Sequence, residues 1–231
     1  DTSADWLKRF ALGLREDAEA YACPLFGGDT DRTPGPVMVS ISMFGSVPSG
    51  DMVRRAGARP GHRVFVTGTI GDAAHGLVLR QGAAWPLTAA QREHLLARYL
   101  LPQPRNALAE VVRAYASAAM DVSDGLAGDL TKLCRVSGVA AHIDVAAVPL
   151  SDAALAAVAA DAAMRETALT GGDDFEVLCT VPPARADAFR TAARGAGVPV
   201  TEIGVVEAGA GAHFMDGGRR SEARRVGKEC R

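Results

Sequence analysis

An α/β or α+β sheet with helices covering one face is the fold class that this sequence predicts. Apolar runs of strand length alternate with stretches of helical periodicity from Val64 to Met215. Glycine-rich acidic clusters fall at the joins: GGDT at Gly27 to Thr30, DVSDGL at Asp121 to Leu126 and GGDDFEV at Gly171 to Val177. The composition suits a globular fold, with 48% of the 231 residues hydrophobic and 23% charged. Only 5% are aromatic, so small and aliphatic side chains fill the core.

Trp6, Phe10 and Leu14, joined by Leu7, Ala11 and Ala18, recur at three- and four-residue spacing and predict a helix over residues 3–22. GGDT and the Pro/Gly-rich stretch to Pro36 end it. Val37, Val39, Ile41 and Met43 then alternate with Met38, Ser40 and Ser42, the pattern of a half-buried strand. Pro48, Ser49 and Gly50 read as a turn or linker, and a domain boundary falls between Val47 and Pro60. The division is 1–48 for a first domain, 49–218 for a second and 219–231 for a tail.

Val64 to Val66 reads as a strand running into GTIGD (Gly68 to Asp72) and a helix through Leu79. Thr88 with Gln91 forms a capping box for a helix to Leu100. After Pro104 a helix carries Leu108, Val111, Val112 and Tyr115. A strand at Ala118 to Val122 delivers DVSDGL, and the next helix puts Leu126, Leu130 and Leu133 on one face until Ser137-Gly138 stops it. Val139 to Val145 is a strand, and Ser151 caps an Ala-rich helix. Phe175 to Val181 is a strand, Pro183 to Ala193 a helix, Val198 to Val206 a strand, and Ala212 to Met215 a weak last one. Arg219 to Arg231 has no apolar periodicity and a net charge of +4, and reads as a non-native extension.

A net charge of −2 argues against a general nucleic-acid or acidic-membrane surface, and no apolar run reaches membrane-spanning length. Cys23, Cys134, Cys179 and Cys230 form no CxxC pair, which reads as buried or idle thiols in a reduced cytoplasmic setting. His75, His94 and His142 lack ligand spacing and read as surface or capping residues.

The acidic clusters carry the chemistry. Mg²⁺ takes oxygen ligands and commonly joins one or two protein carboxylates to phosphate oxygens. Glycine lets the backbone approach a phosphate closely. Asp121, Ser123 and Asp124 would crowd a strand–helix turn, where one such residue could be an ordinary N-cap but two aspartates exceed what a cap needs. GGDT alone is a common loop, and GGDD could be an exposed acidic turn in which only one of the two acids aims at a given site. GTIGD lacks the GK[ST] of a phosphate loop and reads as a tight turn. Arg54 and Arg55 are either solvated or phosphate-neutralising.

In order, GGDT, the Val-Pro-Ser-Gly turn, RRAGARPG (Arg54 to Gly61), VTGTIGDAAHGL (Val66 to Leu77), DVSDGLAGDL (Asp121 to Leu130) and LTGGDDFEVLCTV (Leu169 to Val181) resemble the thiamine-monophosphate kinases. These belong to the aminoimidazole-ribonucleotide-synthetase-like superfamily of ATP-binding proteins. The resemblance implies a two-domain architecture, with a C-terminal mixed sheet covered by helices and the end of an N-terminal ATP/Mg-binding domain in residues 1–48. It implies ATP- and Mg²⁺-dependent phosphorylation of thiamine monophosphate to the diphosphate, in the cytoplasm, by a homodimer. Gly28 and Asp29 match ATP contacts, Asp29 also a metal ligand. Arg55 matches an ATP-contacting arginine, Ser123 a nucleotide contact, and Asp121 and Asp124 metal ligands. Asp173 stands where the family usually has a substrate-contacting Glu, one methylene longer.

The first residue, Asp1, is not Met and already leads into a helix, and the family has an earlier segment with further metal-binding aspartates. The 231-residue chain alone is therefore expected to show little or no kinase activity. Alternative readings are another ATP-dependent synthetase of the superfamily, or a non-catalytic Mg-nucleotide-binding module.

Overall fold

The computed structural model describes residues 3–217 and the backbone of 219 and 220. The chain divides between Pro48 and Ser49 into two units. In the first, Ser3 accepts the Trp6 N–H at 3.2 Å and starts helix α1 (Ala4–Ala20). Trp6 and Phe10 stack on one face of α1 with ring centroids 5.2 Å apart. Residues 23–48 carry no helix or strand. The strand predicted at Val37 to Met43 is therefore absent, and Val37, Met38, Ile41 and Met43 are exposed. Alternation marks a face that a sheet could bury, but a strand exists only through a hydrogen-bonded neighbour. This segment has none among the described residues.

The second unit is built on one mixed sheet. Its strands are β1 (Arg63–Thr67), β2 (Ala118–Val122), β3 (Ala140–Asp144), β4 (Glu176–Val181), β5 (Val200–Glu207), β6 (Gly211–Asp216) and β7 (Arg219–Arg220), in the spatial order β2-β4-β1-β5-β3-β6-β7. β3 and β6 run parallel, and the other neighbours are antiparallel. The short β7 shows that the stretch read as an extension begins within the sheet; residues 221–231 lie outside the described residues.

The helices are α2 (Asp72–Arg80), α3 (Ala89–Leu100), α4 (Ala109–Tyr115), α5 (Leu126–Ser137), α6 (Asp152–Ala160), α7 (Met164–Thr170) and α8 (Ala186–Gly195). Local chemistry sets their ends. Thr88 and Gln91 form the predicted capping box, with bonds of 2.9 and 3.2 Å. Ser151 accepts the Ala154 N–H at 3.0 Å, and Gly138 closes α5 at φ +67°.

The sheet is buried on both sides, whereas the sequence suggested helices on one. Val64, Val66, Val122, Leu178 and Ile203 pack with Leu126, Leu130 and Leu133 of α5. Phe65, Cys179 and Val181 pack with Phe189 of α8 and with Val111 and Tyr115 of α4. The near-continuous apolar runs of β1 and β4 are the signature of strands covered on two faces. Burial pushes the Cys134 and Cys179 thiols up to about 11 and about 12, so both are inert. Among the described residues, no helix is long and apolar enough to cross a membrane.

The second helical layer is directly testable. Phe189 is fully buried against the Phe65 ring, with centroids 5.1 Å apart. Phe189→Ala should lower unfolding free energy by about 3–5 kcal/mol in urea titrations, whereas a change below about 1 kcal/mol would mean that this face is not a core.

Candidate active site

The antiparallel pairing of β2 with β4 sets Asp121 opposite Val177 and Val122 opposite Glu176. The end of β2 therefore lies beside the start of β4, and the two acidic motifs meet there. Main-chain bonding continues past the strands: the Phe175 N–H reaches the Val122 carbonyl at 2.9 Å, and the Asp173 N–H reaches the Ser123 carbonyl at 3.0 Å. The loops pass so closely that glycine is required. A Cβ on Gly172 would lie 2.2 Å from the Ser123 oxygen, and one on Gly125 2.5 Å from the Thr170 oxygen. Asp173 and Phe175 adopt left-handed φ values of +71° and +51°, a conformation that costs energy in a side-chain-bearing residue.

A third loop is fastened from below. Asp174 is fully buried and accepts the N–H groups of Gly71 at 2.7 Å and Ala73 at 3.2 Å. GTIGD is thus the tight strand–helix turn that its sequence suggested. Desolvation is the larger influence on Asp174 and raises its pKa to about 7 against the two N–H bonds. Glu176, also fully buried, accepts Arg98 at 2.8 Å, Arg105 at 2.7 and 2.5 Å, and the Thr67 hydroxyl at 2.5 Å. Two guanidinium groups and a hydroxyl compensate the buried charge.

The DVSDG turn has its own support. Gly125 occupies the N-cap position of α5 without a side-chain cap, so Asp121, Ser123 and Asp124 are not there to cap the helix. Buried Asp129 instead accepts the N–H groups of Ser123 at 3.0 Å and Asp124 at 2.9 Å. Lys132 bonds both Asp129, at 2.8 Å, and Asp124. Those bonds, with Asp124 the largest influence, raise the Lys132 pKa. The sequence reading assigned nothing to Asp129, Asp174, Glu176 or Lys132. The available signal was an acid one helical turn beyond Gly125 and an acid pair entering an apolar strand.

The predicted residues divide between the units. Asp121, Ser123, Asp124 and Asp173 come together at the β2–β4 end; Ser123 is half-buried and the three acids are exposed. Arg55 is exposed in a segment that runs along β2, where the Ala119 N–H bonds the Arg54 carbonyl at 3.0 Å. Gly28 and Asp29 are exposed in the first unit, and Asp29 Oδ1 accepts the Thr30 N–H at 2.8 Å. Among the described residues, no group of three or more His, Cys, Asp or Glu could hold a metal ion. Asp121 and Asp124 still offer hard oxygen donors suited to Mg²⁺, and the Lys132 ammonium already stands beside Asp124 as a counter-cation. His75 is fully buried rather than at the surface; desolvation lowers its pKa, and the neutral ring donates from Nε2 to the Met164 carbonyl at 2.8 Å.

The AIR synthase related protein models match this chain, the N-terminal domain over residues 1–47 and the C-terminal domain over 59–216. The thiamine-monophosphate kinase of Caulobacter vibrioides is 40% identical over 221 residues, which are 94% of this chain and 62% of that protein. That of Halobacterium salinarum is 34% identical, over 92% of this chain and 68% of that protein. A solved structure of AaThiL complexed with AMPPCP and TMP superposes with a TM-score of 0.74 at 30% identity, covering 96% of this chain and 68% of that one. The chain belongs to the thiamine-monophosphate kinase family. It spans less than two thirds of the length of the Caulobacter kinase. Its β2–β4 loops lie within the region matched by the C-terminal family model.

Asp174 gives stability a definite pH dependence. Its raised pKa means that the native state keeps a proton that the unfolded chain releases above about pH 4. The resulting stabilisation is complete below about pH 4 and is lost as pH rises to about 7. Asp174→Asn should flatten this fall in urea midpoints; an equal slope in the variant would assign the dependence to another group.

Proposed function

We propose that this chain is part of an enzyme that transfers the γ-phosphoryl group of ATP to the phosphate of thiamine monophosphate, leaving ADP and thiamine diphosphate. The observation that carries this reading is the backbone-locked meeting of DVSDG and GGDDF, on a chain 40% identical to a kinase of that name. The AMPPCP and TMP bound by AaThiL support the same substrate pair. A homodimer in the cytoplasm, with no nucleic-acid or membrane partner, completes the proposal by family analogy.

Phosphoryl transfer asks the protein mainly for positioning and charge neutralisation. Asp121 and Asp124 would hold Mg²⁺, which when bound neutralises the phosphate oxygens, and by family analogy Asp29 is a metal ligand too. Gly28, Asp29, Arg55 and Ser123 would contact the nucleotide. Asp173, projecting from a left-handed backbone, would meet the thiamine side. The acceptor phosphate is already ionised, so no protein nucleophile or general base is needed.

Asp124→Asn in the intact enzyme should reduce Mg²⁺-dependent formation of thiamine diphosphate by about 100-fold or more, since a metal's charge stabilisation is worth several kcal/mol. ADP and thiamine diphosphate must appear in equal amounts. Near-normal turnover in the variant would remove Asp124 from the metal site. ATP breakdown coupled to a different new bond would instead support a synthetase.

A further inference from the structure

Asp129 is a fully buried carboxylate to which the proposed reaction gives no task. Its Oδ2 receives two main-chain N–H groups, from Ser123 at 3.0 Å and Asp124 at 2.9 Å. Its Oδ1 receives Lys132 at 2.8 Å, and the same ammonium bonds the Asp124 carboxylate. One oxygen thus fixes the main chain of the turn, while the other anchors the cation that holds the Asp124 side chain. The two N–H donors precede Gly125, so they are not orphan amides of the α5 helix. A buried charge is costly unless paired, and ionised acceptors make the stronger hydrogen bonds. The arrangement therefore supports the turn rather than the helix that carries Asp129.

We propose that Asp129 is a positioning residue: it sets the Ser123–Asp124 main chain and, through Lys132, the direction in which Asp124 faces a Mg²⁺–nucleotide. The last step rests on the phosphoryl-transfer reading; the local geometry does not.

Two variants separate this role from simple stability. Asparagine retains an oxygen that can accept both N–H groups, whereas alanine retains none. In this chain, residue-resolved amide exchange at Ser123 and Asp124 should accelerate about tenfold in Asp129→Ala and stay within about threefold in Asp129→Asn, with the β1 amide of Phe65 unchanged in both. Unchanged exchange in Asp129→Ala, or equal acceleration at Phe65, overturns the proposal. In the intact enzyme, calorimetry should show Mg–ATP affinity about tenfold weaker in Asp129→Ala and only partly restored in Asp129→Asn, whose amide keeps an acceptor for the main chain but offers Lys132 no second oxygen. Unaltered affinity in Asp129→Ala overturns the link to ligand presentation. Failure of the kinase reading shows separately, as ATP breakdown by the unaltered intact enzyme without an equal amount of thiamine diphosphate.

Discussion

Antiparallel pairing between β2 and β4 is the constraint from which the candidate site follows. It places the end of one strand beside the start of the other and brings together motifs distant in sequence. Once paired, the chains stay in contact for several residues beyond the strands, with the 173 and 175 amides bonding the 123 and 122 carbonyls. That continuation leaves no room for a Cβ at Gly125 or Gly172. Gly125 and Gly172 are therefore accounted for by backbone crossing, before any phosphate is considered.

The acids around this crossing divide their labour by depth. Asp129, Asp174 and Glu176 point inward and satisfy amides or guanidinium groups. Asp121, Asp124 and Asp173 remain in solvent. Asp129 ties the DVSDG turn to α5, and Asp174 ties the GTIGD turn to the GGDDF loop. An outer set mounted on such supports can keep its geometry without a ligand, which is what chemistry by positioning requires.

Much of the second unit was legible in the sequence because its signals are local. The Thr88–Gln91 box, the Ser151 cap and the Gly138 stop lie within a few residues of what they control. The strand predicted at Val37 to Met43 failed because alternation describes a face, not the neighbour that must bond it. The second helical layer was hinted at by Val64-Phe65-Val66, where both faces are apolar, yet no local rule says what covers them. At the site, the motifs were visible but the division of their acids was not. Adjacent Asp173 and Asp174 differ in burial because only the latter meets the Gly71 and Ala73 amides, a contact across about a hundred residues of chain. His75 was misread for the same reason, since its burial depends on Met164 and Trp85.

The charges at the β2–β4 end also bear on how a polyphosphate could approach. Arg98 and Arg105 are engaged by Glu176, and Lys132 by Asp124 and Asp129. The exposed side chains that remain at the crossing include the carboxylates of Asp121 and Asp173. A triphosphate brought against them meets like charge, and each such pair opposes approach. Rearranging the arginines would leave Glu176 buried and uncompensated, at a cost of about 3–5 kcal/mol. In the proposed reaction, divalent cations arriving with the nucleotide would turn Asp121, with Asp124, from a repulsive neighbour into a ligand. The acidity of the crossing would thus favour Mg²⁺–nucleotide over free nucleotide, the form of substrate that the proposed reaction uses.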